Sequence, residues 1–248
     1  PMSDVIPALD KIRIRQIALC VPDIRPVERA VEQALDITPA HRDKPGSPIW
    51  MYNGVFPIGD TFLEILQPER PEAPTTKFLE KQGGPAGYML ILQVDDLDKA
   101  RARAEAANVR VVWEIPTVKH HGINGGAIHL HPGDTGGVLT SLDWMEDPDS
   151  WSWAGPAWPW HTRTDVVSGI VAAEVSSTNP DAVANKFSEL LGREIDEDRS
   201  IALDGSRVRF VEGPAGSRDR LTGIDLQATD RDRVGETFEF ARTVFKLV

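Results

Sequence analysis

Apolar residues in this chain come in short blocks separated by polar turns, and the blocks recur in the same order. Ile12–Val21 is an apolar run of strand length. Pro22-Asp23 follows as a cap, and Val27, Ala30, Val31 and Ala34 then mark one face of a helix from about Arg25 to Leu35. Pro39–Pro48 reads as loop. Ile49–Val55 and Thr61–Leu66 read as strands joined by the turn Pro57-Ile58-Gly59-Asp60. After Pro68, Pro71, Pro74 and a short segment near Phe78–Lys81, the order restarts. Gly87–Val94 predicts a strand, Asp95-Asp96 a cap and Leu97–Ala107 a helix. Val109–Ile115, Gly126–His131 and Val138–Asp143 predict three more strands. A third round holds the strand Gly169–Val175, a helix from Asn179-Pro180 to Leu191 closed by Gly192, and the hairpin Ser200–Leu203 and Arg207–Glu212. A fourth opens with Leu221–Thr229. There Val234–Phe245 is predicted as a closing helix, which leaves the last unit truncated.

Setting Ile17–Ile24 over Leu90–Leu97 aligns strand, cap and helix start without a gap, so the rounds are an internal repeat. The expected fold class is α+β, built of about three and a half βαβββ modules. Residues 12–145 form a first pair, 146–165 a linker, and 166–248 a second, shorter half. Five of the seven tryptophans fall in Trp144–Trp160 among prolines and acids. Such indoles anchor an irregular linker, or else cap an aromatic or acyl ligand. Residues 1–11 are expected to be a loose leader.

Composition narrows the partners. A formal net charge of -11 gives no basic field to attract nucleic acid or an anionic membrane. The one cysteine, Cys20, excludes an intramolecular disulfide and fits a reducing, cytoplasmic setting; within its apolar run it reads as a buried thiol. No transmembrane run or signal-peptide pattern stands out. A small-molecule ligand is the expected partner, and a homodimer is open because modules can pair within or between chains.

The strand ends Val21-Pro22-Asp23-Ile24 and Val94-Asp95-Asp96-Leu97, with the turn His131-Pro132-Gly133-Asp134-Thr135-Gly136-Gly137-Val138-Leu139, carry a family resemblance. The chain resembles the vicinal oxygen chelate superfamily, in its glyoxalase and methylmalonyl-CoA epimerase-like branch. That resemblance implies curved sheets of paired modules enclosing a pocket. It also implies a divalent metal held by one residue from the first and one from the last strand of each module, acting as a Lewis acid. Carried over by position, the first module offers Gln16 and Glu64 as metal ligands, and the second offers Met89 and Ser141. A thioether and a hydroxyl hold a hard cation poorly, so the expectation is no cofactor or a weakly held divalent metal.

The candidate catalytic residues are Glu64, His129 and His121. Gln16, Met89, Ser141, His120 and Trp144 are the candidate substrate-binding residues. Glu64 facing an apolar cavity would have a raised pKa suited to moving a proton next to a carbonyl. A histidine titrates near neutrality and can assist. His129 and His131, two apart on one strand, form a chelating pair, or else His131 ends the turn by bonding backbone. His120-His121 reads as loop, Gly122–Gly126 as a hairpin, and Asp43 as a cap or water-facing acid. Two functions follow. One is a proton-transfer isomerase or lyase acting on a small carbonyl compound with an altered metal site. The other is a non-catalytic binder of the antibiotic-resistance type.

Overall fold

The computed structural model describes residues 6–46, 49–136 and 138–248. The first five residues of the predicted leader, Ser47-Pro48 of the predicted loop and Gly137 of the predicted turn lie outside the described residues. The first module contains β1 (Ile12–Cys20), α1 (Ile24–Leu35), β2 (Met51–Ile58) and β3 (Thr61–Pro68). A single bridge from His41 to Val55 adds a rudimentary further strand. Asp23 caps α1 by accepting from the Arg25 backbone N–H, and Asp36 closes it in the left-handed region. After α2 (Pro74–Gln82), the second module runs β4 (Ala86–Val94), α3 (Leu97–Ala106), β5 (Val111–His120), β6 (Ile123–Leu130) and β7 (Leu139–Met145). His120 thus ends a strand, where a loop was expected.

Strand pairing repeats the module symmetry. β1 and β4 lie antiparallel at the centre, and each is flanked in parallel by the last strand of its own module, β3 or β7. The order β2-β3-β1-β4-β7-β6-β5 results. Past the linker, which carries the short α4 (Trp158–His161), come β8 (Val167–Ser177), α5 (Pro180–Leu191), β9 (Ser200–Leu203) and β10 (Ser206–Glu212). The same rule then orders the second half-sheet as β9-β10-β8-β11-β13-β12, with β11 (Arg220–Ala228), β12 (Thr237–Phe240) and β13 (Thr243–Leu247).

The predicted closing helix is therefore wrong: Val234–Phe245 contains β12 and most of β13. The hairpin turns through Ala241 and Arg242, both at positive φ, so no Asn-Gly or Asp-Gly signal marks it. The last module keeps its strands and reduces its helix to the single 3₁₀ turn Arg231–Arg233.

One continuous apolar core joins the halves, running from Leu19 and Leu92 to Val175, Phe187 and Phe210. Arg103 of α3 donates to the carbonyls of Leu190 and Glu189, satisfying the C-terminal end of α5 across the boundary. The half-sheets touch where Leu221 of β11 pairs with Gly87 of β4. A Cβ on Gly87 would lie 2.5 Å from Leu221 Cβ and 2.9 Å from its carbonyl oxygen. Gly87→Ala is therefore expected to cost about 2 kcal/mol by overpacking, measured as a lower denaturation midpoint. An unchanged midpoint would show that the junction yields freely. Among the described residues, no helix is long and apolar enough to cross a membrane.

Candidate active site

The concave face of the first half-sheet encloses a cavity of about 490 Å³. Its floor carries Gln16 from β1, Glu64 from β3, Met89 and Ile91 from β4, and Asp143 from β7. The β5–β6 hairpin forms a wall with Trp113, His120, His121 and His129, and the linker contributes Trp153.

Glu64 is 7% exposed, and its two oxygens accept from Gln16 Nε2 at 2.9 Å and Asn53 Nδ2 at 2.8 Å. Both amide orientations are dictated by their other partners. The Trp151 indole N–H can only donate, and it reaches Gln16 Oε1 at 2.7 Å. The Asp43 backbone N–H, equally a pure donor, reaches Asn53 Oδ1 at 2.8 Å. The NH₂ groups of Gln16 and Asn53 are thereby turned onto Glu64. Burial pushes the Glu64 pKa up to about 7, and these two hydrogen bonds partly offset it.

Asp143 is 2% exposed, and burial likewise pushes it up to about 7. Its surroundings differ in kind. One oxygen meets the Ser141 hydroxyl, and the other accepts from Trp153 Nε1 at 2.7 Å. A hydroxyl can accept as well as donate, and Ser141 Oγ is also within 3.4 Å of the Ile128 carbonyl. Protonated Asp143 can therefore donate to Ser141, which passes its own hydrogen to Ile128. Glu64 is set among donors only, while Asp143 has in Ser141 one partner that can accept as well as donate. His129 is half-buried in the wall, and burial lowers its pKa to about 4, leaving a neutral imidazole at pH 7.

The tryptophans owe their places to a β-bulge. Register slips between Ile14 and Gln16, so Arg15 joins Gln16 on the concave side instead of alternating away from it. Arg15 is fully buried and packs over the Phe62 and Trp151 rings. Its Nη atoms donate to Gln93 Oε1 at 2.6 Å and to the Pro148 and Asp149 carbonyls at 2.9 and 3.0 Å. This clamp holds the linker where Trp151 orients Gln16 and Trp153 binds Asp143. Arg15→Met should leave the Asp149 carbonyl without this donor and Pro148 held by Gln93 alone, at a cost of about 2 kcal/mol. The expected readouts are faster proteolysis at 146–150 and red-shifted tryptophan emission; if neither changes, Arg15 does not hold the linker.

Of the residues named from sequence, Gln16, Glu64, Met89, His120, His121 and His129 meet in this cavity. Ser141 and Trp144 are not part of its lining. Ser141 lies beneath Asp143, and Trp144, one residue out of phase on β7, packs against the main core on the opposite face. His131 is a turn residue whose Nδ1 accepts the Gly133 N–H at 3.0 Å, so it does not pair with His129. Asp43 does not simply face water. It lines the cavity and bonds His41 and Asn53, and although burial opposes ionisation, these partners hold its carboxyl below the usual range. Asn53, Asp143 and Trp153 went unassigned in the sequence, although Asp143 shares a strand face with Leu139 and Ser141.

A metal of the family type would need the Gln16 oxygen and the Glu64 carboxylate turned to one cation. That oxygen is taken by Trp151, and its NH₂ faces Glu64 instead. Among the described residues no three His, Cys, Asp or Glu side chains converge as ligands. The donor set does not fit such an ion.

Residues 15–124 match the profile of the Glyoxalase/Bleomycin resistance protein/Dioxygenase superfamily. The chain is 26% identical over 134 residues to mitochondrial methylmalonyl-CoA epimerase of Bos taurus, covering 53% of this chain and 73% of the relative. It is 28% identical over 133 residues to ethylmalonyl-CoA/methylmalonyl-CoA epimerase of Cereibacter sphaeroides, covering 53% of this chain and 96% of the relative. A hypothetical protein from Staphylococcus aureus, 12% identical, superposes with a TM-score of 0.73 over 96% of this chain and 99% of its own. That fold therefore extends through both halves.

Proposed function

We propose that the first half of this chain, whose residues 15–124 match the glyoxalase/bleomycin resistance/dioxygenase superfamily, is an acid–base enzyme of epimerase type. It would move a proton at the carbon beside a carbonyl. The observation that carries this reading is the pair of buried carboxyls, one from each module, lining one mostly apolar cavity. Two carboxyls held near neutrality and lining one cavity can serve as an acid and a base. β3 and β7 are three strand spacings apart, about 14 Å along the sheet and less across its concave mouth. A substrate between them would have one carboxyl on each side.

In the proposed step Glu64, as carboxylate, takes the proton from the carbon, and the bonding pair moves onto the carbonyl oxygen. Neutral His129 donates a hydrogen bond to that oxygen. Protonated Asp143 gives up its hydrogen bond to Ser141 and returns that proton to the opposite face of the carbon, and both carboxyls then re-equilibrate with solvent. Epimerase activity in the relatives supports this reaction class. The apolar lining and the hydrogen-bond saturation of Glu64 also suit a protein that only binds its ligand. One measurement separates the two: deuterium uptake from D₂O at the α-carbon of a chiral probe, the N-acetylcysteamine thioester of 2-phenylpropanoic acid. Enzyme-dependent uptake supports the epimerase reading, and binding without uptake ends it.

A further inference from the structure

We infer that the part of the ligand entering the cavity is uncharged and carries no carboxylate. This deepens the epimerase reading and rests on the same site. The described residues lining the cavity include four acids, Asp43, Glu64, Glu114 and Asp143, and no lysine or arginine. A buried carboxylate ligand needs a cation or several donors to replace its water. Two guanidinium groups near the cavity have Nη atoms committed to other partners. Arg15 spends both Nη atoms on Gln93 and the linker carbonyls, and Arg101 pairs with Glu114 at the rim. The indole N–H of Trp153 is taken by Asp143, and the amide NH₂ groups of Gln16 and Asn53 face Glu64. An anion would sit beside Glu64 and Asp143 with no lysine or arginine to pair it.

The rest of the lining favours an apolar body. Ile49, Met51, Tyr88, Met89, Ile91 and Leu139 surround the space between the carboxyls. A neutral ligand with one or two carbonyl oxygens needs only weak donors, which the wall histidines supply. A malonyl-type acid does not meet these conditions, so the cavity diverges from the acyl groups named for the epimerase relatives. A cationic ligand would also leave water for this apolar lining. Glu64 already accepts two hydrogen bonds and Asp143 one from Trp153, which lowers what a cation would gain from either.

The test uses the whole chain and the uncharged fluorescent probe N-phenyl-1-naphthylamine, displaced at pH 7.5 by three compounds of one shape. These are methyl 2-phenylpropanoate, 2-phenylpropanoate and 2-phenylpropylammonium. The ester is expected to displace the probe at least tenfold more effectively than the acid, and better than the ammonium compound. In the variant Glu64→Gln/Asp143→Asn, which removes both charges, the preference for ester over acid should shrink severalfold. Equal or stronger displacement by the acid or the ammonium compound overturns the inference, as does displacement by none. Displacement reads binding without turnover. Failure here therefore leaves the proton-transfer reading to the deuterium measurement, and absence of deuterium uptake leaves the charge preference intact.

Discussion

Glu64→Gln should lower α-carbon deuterium exchange by roughly 10²- to 10⁴-fold, the usual contribution of a positioned general base. The substitution keeps the size of the side chain and removes the carboxylate that accepts from the Gln16 and Asn53 amides. One oxygen of the new amide can still accept from Gln16 or Asn53, while its NH₂ opposes the other, a local cost of about 1 to 3 kcal/mol. A circular dichroism spectrum and denaturation midpoint would confirm that the fold survives. Asp143→Asn is expected to behave differently. Its NH₂ can donate to Ser141 and its oxygen can accept from Trp153, as the protonated acid would. Exchange at the face served by Glu64 should persist, while inversion of configuration is lost. With Glu64 and Asp143 both near 7, the wild-type rate should peak in a narrow bell around neutrality. Full exchange in Glu64→Gln would remove Glu64 from the mechanism.

The second large effect is on stability. Burial holds Glu64 and Asp143 at about 7 in the folded protein, against 4.5 and 3.8 without burial. Below about pH 4 both states hold these protons and the contribution to stability is complete. As pH rises towards 7, the unfolded chain releases two protons that the folded protein still holds, so stability falls. Above 7 the loss is complete and this contribution is flat. The shifts correspond to on the order of 3 to 4 kcal/mol for each carboxyl. Half-buried Asp134, held low by hydrogen bonds from Arg110, tilts the curve the opposite way, so wild type alone is not diagnostic. Compared with Glu64→Gln/Asp143→Asn, wild type should lose several kcal/mol more between pH 4.5 and pH 8 in urea titrations. The constant packing cost of the substitutions cancels in that difference. Parallel curves would mean that neither carboxyl is held protonated by the fold.

The module order was legible because strand and helix periodicity are local. Ile12–Val21 and Gly87–Val94 need no distant partner to show their alternation, and Asp23, Asp96 and Asn179 cap the helices expected of them. The inward direction of Gln16, Glu64 and Met89 follows from period two and the family register. The final hairpin was not legible, because its turn residues Ala241 and Arg242 adopt positive φ without the usual residue types. Arg15 could not be placed either, since the bulge beside it is a mismatch between two strands, and alternation along one strand cannot show it.

By itself, then, the sequence determined the repeated modules, the pocketed first half and one carboxyl of the site. Only the tertiary structure decided the chemistry of that carboxyl and supplied its counterpart. Trp151 stands 135 residues from Gln16, yet its donor-only N–H turns the amide that holds Glu64. Ser141 occupies the position expected of a metal ligand, and in the fold its hydroxyl serves Asp143 instead. Depth of burial and hydrogen-bond partners belong to groups brought together from distant parts of the chain, and they decide whether a carboxyl holds its proton at neutral pH.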